Sequence, residues 1–155
     1  MPFTRCPEVS PIPKGHRSLA PYLYLRGASR AMDFYARAFG AFEIFHMAGA
    51  DGKIAHAEMQ VGDSVLMLAD ESPEQGTRSP ESLEGASTSV FFYAPDVDAV
   101  FAKALAAGAV ARSEPTDMFW GDRVASFRDP FGHEWSIATH VEDVTPEEMQ
   151  RRMQS

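Results

Sequence analysis

A short strand, a helix and three further strands are written twice along this chain of 155 residues, and that duplication restricts the fold more than any single motif. Met32, Tyr35, Ala36 and Phe39 stand at i, i+3, i+4 and i+7, the spacing of one apolar helical stripe, with Ser29 as the expected N-cap and Gly40 as terminator. Val97, Val100, Phe101, Ala104 and Leu105 repeat the spacing behind Asp96 and stop at Gly108. The two helix ends, centred on Gly40 and Gly108, lie 68 residues apart.

Each helix follows a run of aromatic and branched residues of strand length, 21–25 and 89–93. Three strands are predicted after each helix: 42–47, 54–61 and 64–69 in the first half, and 110–113, 123–128 and 134–139 in the second. Turn residues separate them, and the segment from Gly62 aligns with the segment from Gly132 at an offset of 70. The expected architecture is therefore α+β, one domain at 18–142 built from two βαβββ modules, 18–70 and 88–142. Polar, proline-containing residues 71–87 read as a surface linker. The four prolines within residues 1–17 read as an extended arm outside the fold. Thr145, Pro146 and Glu148 form a capping-box sequence that predicts a short helix within 143–155.

Composition removes several functions. A formal net charge of −8 works against a phosphate backbone, so no nucleic-acid partner is expected. No apolar run approaches the roughly 20 residues of a membrane span, so no membrane partner is expected. The lone Cys6 cannot form an internal disulfide, which suits a cytoplasmic setting. A Gly-rich phosphate loop and a GxSxG elbow are both missing from the sequence, which disfavours nucleotide binding and serine hydrolysis.

The stretches 31–41, 62–70, 96–101, 119–123 and 129–133 together resemble the vicinal oxygen chelate superfamily of glyoxalase I, bleomycin-resistance proteins and extradiol dioxygenases, most closely its PhnB-like branch. The resemblance covers about residues 19–140 and implies paired βαβββ modules, often homodimeric, around a cavity bounded by the sheets. Metal-dependent members take two ligands from each module, and those slots fall here at Ala20, about Leu66, Ser89 and Ser136. Alanine and leucine have no donor atoms and serine is a poor ligand for a divalent ion, so no cofactor is expected at the usual positions.

Strand alternation from those slots turns Tyr22, Tyr24, Leu66, Leu68, Ser89, Phe91, Tyr93, Ser136 and His140 toward the cavity and Leu23, Leu25, Val90, Phe92, Trp135 and Ile137 toward the helices. His56, Glu58 and Gln60 share the cavity face on their strand. The candidate ligand-binding set is Tyr22, Tyr24, Ser89, Phe91, Trp120, Arg123 and Ser136, with aromatic faces to stack on a flat organic molecule and Arg123 to meet an anionic group. Closing the mouth of the sheet is an equally good role for Trp120 and Arg123. His56 and Glu58 are the candidate catalytic pair, as base and orienting partner or as a two-residue chelate; a hydrogen-bonded surface patch is the commoner fate of such a pair. His16, His46 and His133 are given no role. Three functions follow: a small-molecule binding protein, a glyoxalase-type metal-dependent lyase or isomerase with a non-standard site, and a dimerising module joined through free strand edges.

Overall fold

In the computed structural model, which describes residues 9–155, the duplication is realised as two four-stranded sheets, each with a helix against one face. The first module runs β1 (Tyr22–Leu25), α1 (Ala28–Phe39), β2 (Phe42–Ala48), β3 (Ile54–Val61) and β4 (Ser64–Asp70). A 3₁₀ turn (Pro73–Gln75) and the single-turn α2 (Pro80–Leu83) lead to the second module. That module has β5 (Ser89–Tyr93), α3 (Val97–Ala106), β6 (Val110–Asp117), β7 (Asp122–Arg128) and β8 (Glu134–His140), and α4 (Pro146–Met153) closes the chain. The sheets have the matching orders β1-β4-β3-β2 and β5-β8-β7-β6, with the first pair in each parallel and the rest antiparallel. Cys6 lies outside the described residues.

One continuous core joins the inner faces of the two sheets through α1 and α3. Tyr35 and Phe39 of α1 pack on Trp135, with ring centroids 5.3 and 4.7 Å apart, and Phe39 also meets Phe92 at 4.9 Å. The module-to-module contact is anchored by Asp129, only 3% exposed. One of its carboxylate oxygens accepts from Tyr35 Oη at 2.6 Å and Trp135 Nε1 at 2.8 Å, and the other from the backbone N–H groups of Phe131 and His133. Every polar partner of this buried charge is therefore a donor, the condition under which burying it is tolerable.

Several local expectations are corrected. Ser29 does not cap α1: Gly27 occupies that position at φ 82, and the carboxylate of Asp70 accepts from the backbone N–H of Gly27 and of Ala28 at 2.9 Å each. The other oxygen of Asp70 holds the N–H of Ile54, so one side chain ties the end of β4 to the starts of α1 and β3. The buried stripe of α1 is Ala28, Ala31, Phe34, Tyr35 and Ala38; Ala36 is exposed and Met32 and Phe39 are half-buried, so the stripe is rotated from the predicted one. Leu66 and Leu68 belong to the core rather than to the cavity face, because β4 pairs Met67, and not Leu66, with Tyr22. Strand β6 continues past Ser113 to Asp117.

The linker is pinned down. Ser79 is fully buried and caps α2, while Glu71 accepts from Ser79 N at 2.6 Å, Ser82 Oγ at 2.6 Å and Arg26 Nε at 2.8 Å. Burial pushes the Glu71 carboxyl up, but these hydrogen bonds outweigh it and bring it to about 2. Asp96 and Thr145 cap α3 and α4 as expected.

Tyr35→Phe leaves Asp129 with one donor fewer in a buried site and is expected to lower stability by about 1.5–3 kcal/mol. Urea unfolding followed by circular dichroism measures it; a loss within experimental error would mean that this bond does not hold the modules together.

Candidate functional site

Each sheet has a face turned away from the shared core, and both of these open faces carry large exposed apolar side chains. The open face of module one presents Phe42, Phe45 and Met47 from β2, and that of module two presents Phe91 and Tyr93 from β5. Among the described residues no strand of one sheet pairs with a strand of the other. The predicted ligand residues are consequently split, Tyr22 and Tyr24 on one face and Ser89, Phe91 and Ser136 on the other.

On module one the alternation of β3 turns Ala57 and Met59 into the core and His56 and Glu58 to the open face. Glu58 is only 6% exposed. Its Oε1 lies 2.5 Å from His16 Nε2 and its Oε2 lies 3.2 Å from His56 Nε2. Burial pushes the carboxyl up, and the two imidazoles overcome that and leave it below the ordinary glutamate value. An ionised carboxylate only accepts, so His56 carries its ring hydrogen on Nε2 and Nδ1 is left to accept from Tyr22 Oη at 2.9 Å. Desolvation, then the neighbouring Tyr24 and Glu58, raise the Tyr22 hydroxyl, which stays protonated. The rings of Tyr22 and Tyr24 lie 4.9 Å apart.

His16 and Glu58 of this network form part of the wall of an open cavity of about 520 Å³, with Tyr22 and His56 behind them. Ile44, Phe45 and Met67 form its apolar side, and Pro11, Ile12 and Pro13 cover it from the arm. Pro11, Ile12, Pro13, His16 and Arg17 of the arm thus line the cavity, and His16, to which the sequence assigned no role, acquires one there. The signal available in the sequence was the prolines themselves: they restrict the backbone of the segment that lines the cavity.

On module two the hub is Asp122, which sequence reasoning missed. It is 4% exposed and accepts from Tyr93 Oη at 3.0 Å, Trp120 Nε1 at 3.1 Å and His140 Nδ1 at 2.8 Å. His140 Nε2 reaches Asp143 at 2.7 Å. Trp120, His140 and Asp143 line a separate cavity of about 220 Å³ against Met149 of α4. Gly121 makes this arrangement possible: it sits at φ 100, and a Cβ there would lie 2.0 Å from the Glu142 carbonyl oxygen. Arg123 does not face a ligand. It lies on the helix side of β7, bound to Asp98 at 2.8 and 3.0 Å and to Asp117 at 3.2 Å, so its charge is already matched. His133 Nε2 meets the carbonyl oxygen of Tyr24 at 3.0 Å and joins the modules, and His46 pairs with Glu43 on the surface.

A divalent metal does not fit the usual positions. With the register of β4 corrected they hold Ala20, Met67, Ser89 and Ser136, and Glu134, which is paired with Ser89, is bound by Arg112 and Arg128 at 3.1 and 2.8 Å. Among the described residues no three His, Cys, Asp or Glu side chains are disposed to hold a metal ion. None of the described helices is long and apolar enough to cross a membrane.

With this geometry go four likenesses. The sequence profile of the Glyoxalase/Bleomycin resistance protein/Dioxygenase superfamily matches residues 20–137, and the chain belongs to that superfamily. It is 40% identical over 141 residues to the uncharacterized protein Rv0887c of Mycobacterium tuberculosis, covering 89% of this chain and 83% of that one. The crystal structure of TioX from Micromonospora sp. ML1 superposes with a TM-score of 0.62 at 28% identity, over 79% of this chain and 98% of TioX. A PhnB protein from Bacillus cereus has the same fold, with a TM-score of 0.61 at 18% identity over 79% of this chain and 99% of that one.

His140 between two carboxylates is held above the ordinary histidine value, by Asp143 first and then Asp122. Burial pushes Asp122 up, but His140, Tyr93 and Trp120 together lower it. The His140 contribution to stability is therefore complete below about pH 6.5 and lost as pH rises through its folded value; the Asp122 contribution is present above about pH 3.9 and lost as pH falls through its own. Ring-proton NMR should give His140 a midpoint above that of an unperturbed histidine, lowered in Asp122→Asn, and a midpoint unchanged by that substitution would remove the coupling.

Proposed function

We propose that the chain is a PhnB-like member of the superfamily that binds a small, partly aromatic organic molecule on the open face of module one, without a divalent metal at the family's usual positions. The observation that carries this reading is the cavity of about 520 Å³, a size in the range of small-molecule sites, with apolar walls and one buried, oriented carboxylate. Tyr22 and Tyr24 supply stacking surface beside it. A cytoplasmic setting belongs to the same proposal and rests on the composition.

The homodimer is the second part of the reading. Exposed Phe45, Met47, Phe91 and Tyr93, together with the free edges of β1 and β5, favour a second copy whose module two faces module one. Ser89, Phe91, Ser136 and Trp120 of a partner subunit would then complete the cup that one chain leaves open. Light scattering on the purified chain is expected to give a dimer, and Phe91→Asp a monomer; a monomeric parent protein overturns this part.

The alternative is a metal-dependent lyase or isomerase of the glyoxalase type with a non-standard site at His56 and Glu58, and the Tyr22–His56–Glu58 relay favours it, since a carboxylate that orients an imidazole serves both acid–base chemistry and metal ligation. Elemental analysis after dialysis separates the readings, with and without loading by nickel, cobalt, manganese, iron(II) or zinc. Retention well below one ion per chain, with saturable thermal stabilisation by aromatic ligands, is expected for the binding protein. Near-stoichiometric retention, or lyase or isomerase activity abolished in His56→Ala, would favour the enzyme.

A further inference from the structure

Granting that the module-one cavity binds a small molecule, the charge of that molecule is readable from the hydrogen-bond capacity left over in its walls. Glu58 accepts one bond at each oxygen, and a carboxylate has about four lone-pair positions, so two remain. In the neutral tautomer that gives its Nε2 hydrogen to Glu58, His16 keeps Nδ1 as an acceptor, and among the described residues that buried atom has no partner. Tyr22 gives its hydrogen to His56, so its oxygen is left with lone pairs. Every unused polar position in the network is therefore an acceptor.

The surroundings agree. Among the described residues Arg17 is the one lysine or arginine lining the cavity, and it extends to exposed Asp63 at 3.3 Å. Phe45 offers an aromatic face beside the carboxylate, which attracts a cation through the ring quadrupole. The net charge of −8 adds a long-range attraction for positive ligands. An anionic ligand would bring its lone pairs against those of Glu58 and His16 and, among the described residues lining the cavity, would find no lysine or arginine without a carboxylate partner.

We propose that this cavity selects flat organic cations, an aryl or heteroaryl ring carrying an amine, amidine or protonated ring nitrogen, with Glu58 as the anchor and His16 Nδ1 as a second acceptor that determines specificity. Carboxylates and phosphonates of the same size are rejected.

The test compares three probes of similar size, benzamidine, benzoate and benzyl alcohol, titrated into the full-length protein at pH 8 and followed by amide chemical-shift changes around Glu58 and Met67. Benzamidine is expected to bind saturably and about ten-fold or more tighter than benzoate, the magnitude of one charge-assisted bond. Glu58→Gln, its fold checked by circular dichroism, is expected to erase the preference, leaving benzamidine and benzoate within about two-fold of each other. His16→Ala, which leaves the sheet untouched, is expected to narrow it. Equal or tighter binding of benzoate, or a preference that survives Glu58→Gln, overturns this inference while leaving a small-molecule cavity in place. Binding of none of the three overturns both.

Discussion

The fold depends on a buried aspartate. Asp129 opens the turn after β7, yet its carboxylate is used by both modules: Tyr35 reaches it from α1 of the first, and Trp135 and the turn 129–133 from the second. A carboxylate isolated in that core would be too costly to keep ionised, and the aromatic residues around it would pack in several ways without it. Four directed donors fix one arrangement. The aromatic cluster of Phe34, Phe39, Phe92 and Trp135 supplies the bulk of the burial, while Asp129 sets the angle at which the modules meet.

That angle determines what remains outside. Because both helices are used between the inner faces, the other face of each sheet is largely uncovered among the described residues, except where arm residues line part of module one and α4 lies beside Trp120 and His140 of module two. The two open faces are not copies. Module one has Glu58 with two imidazoles and an apolar wall, whereas module two has Ser113 and Ser126 hydrogen-bonded across its strands, a Glu134 neutralised by arginines, and Asp122 at the far end. Duplication preserved the backbone pattern, and the side chains on the two faces diverged toward different chemistry.

The backbone pattern was legible in the sequence because it is written in periodicities and punctuation: strand alternation, helical spacing, Gly40 and Gly108, the caps Asp96 and Thr145. What escaped was set by contacts distant in sequence. The cap of α1 comes from Asp70, 42 positions downstream, so the local preference of Ser29 was overridden. The face of Leu66 was misassigned because a period of two turns a one-residue error of register into the opposite side of the sheet. Arg123 was assigned to a ligand because nothing local announces Asp98, 25 residues earlier, as its partner. His56 and Glu58 were visible from alternation alone, whereas His16 and Asp122, which complete the two clusters, come from an arm and from a strand start where no period applies.

The contact between His16 and Glu58 makes the arm a tethered wall of the cavity. His16 stands only a few residues before β1 and meets the carboxylate intramolecularly, at an effective concentration of millimolar order for so short a tether. A free ligand uses the positions of Glu58 that the imidazole leaves open, and its apparent affinity is lowered by the fraction of molecules in which the arm is undocked. The discrimination of the site thus depends on that fraction: an undocked arm takes the second acceptor and the proline-lined side of the cavity away together. The length of the segment joining arm to strand helps to set it.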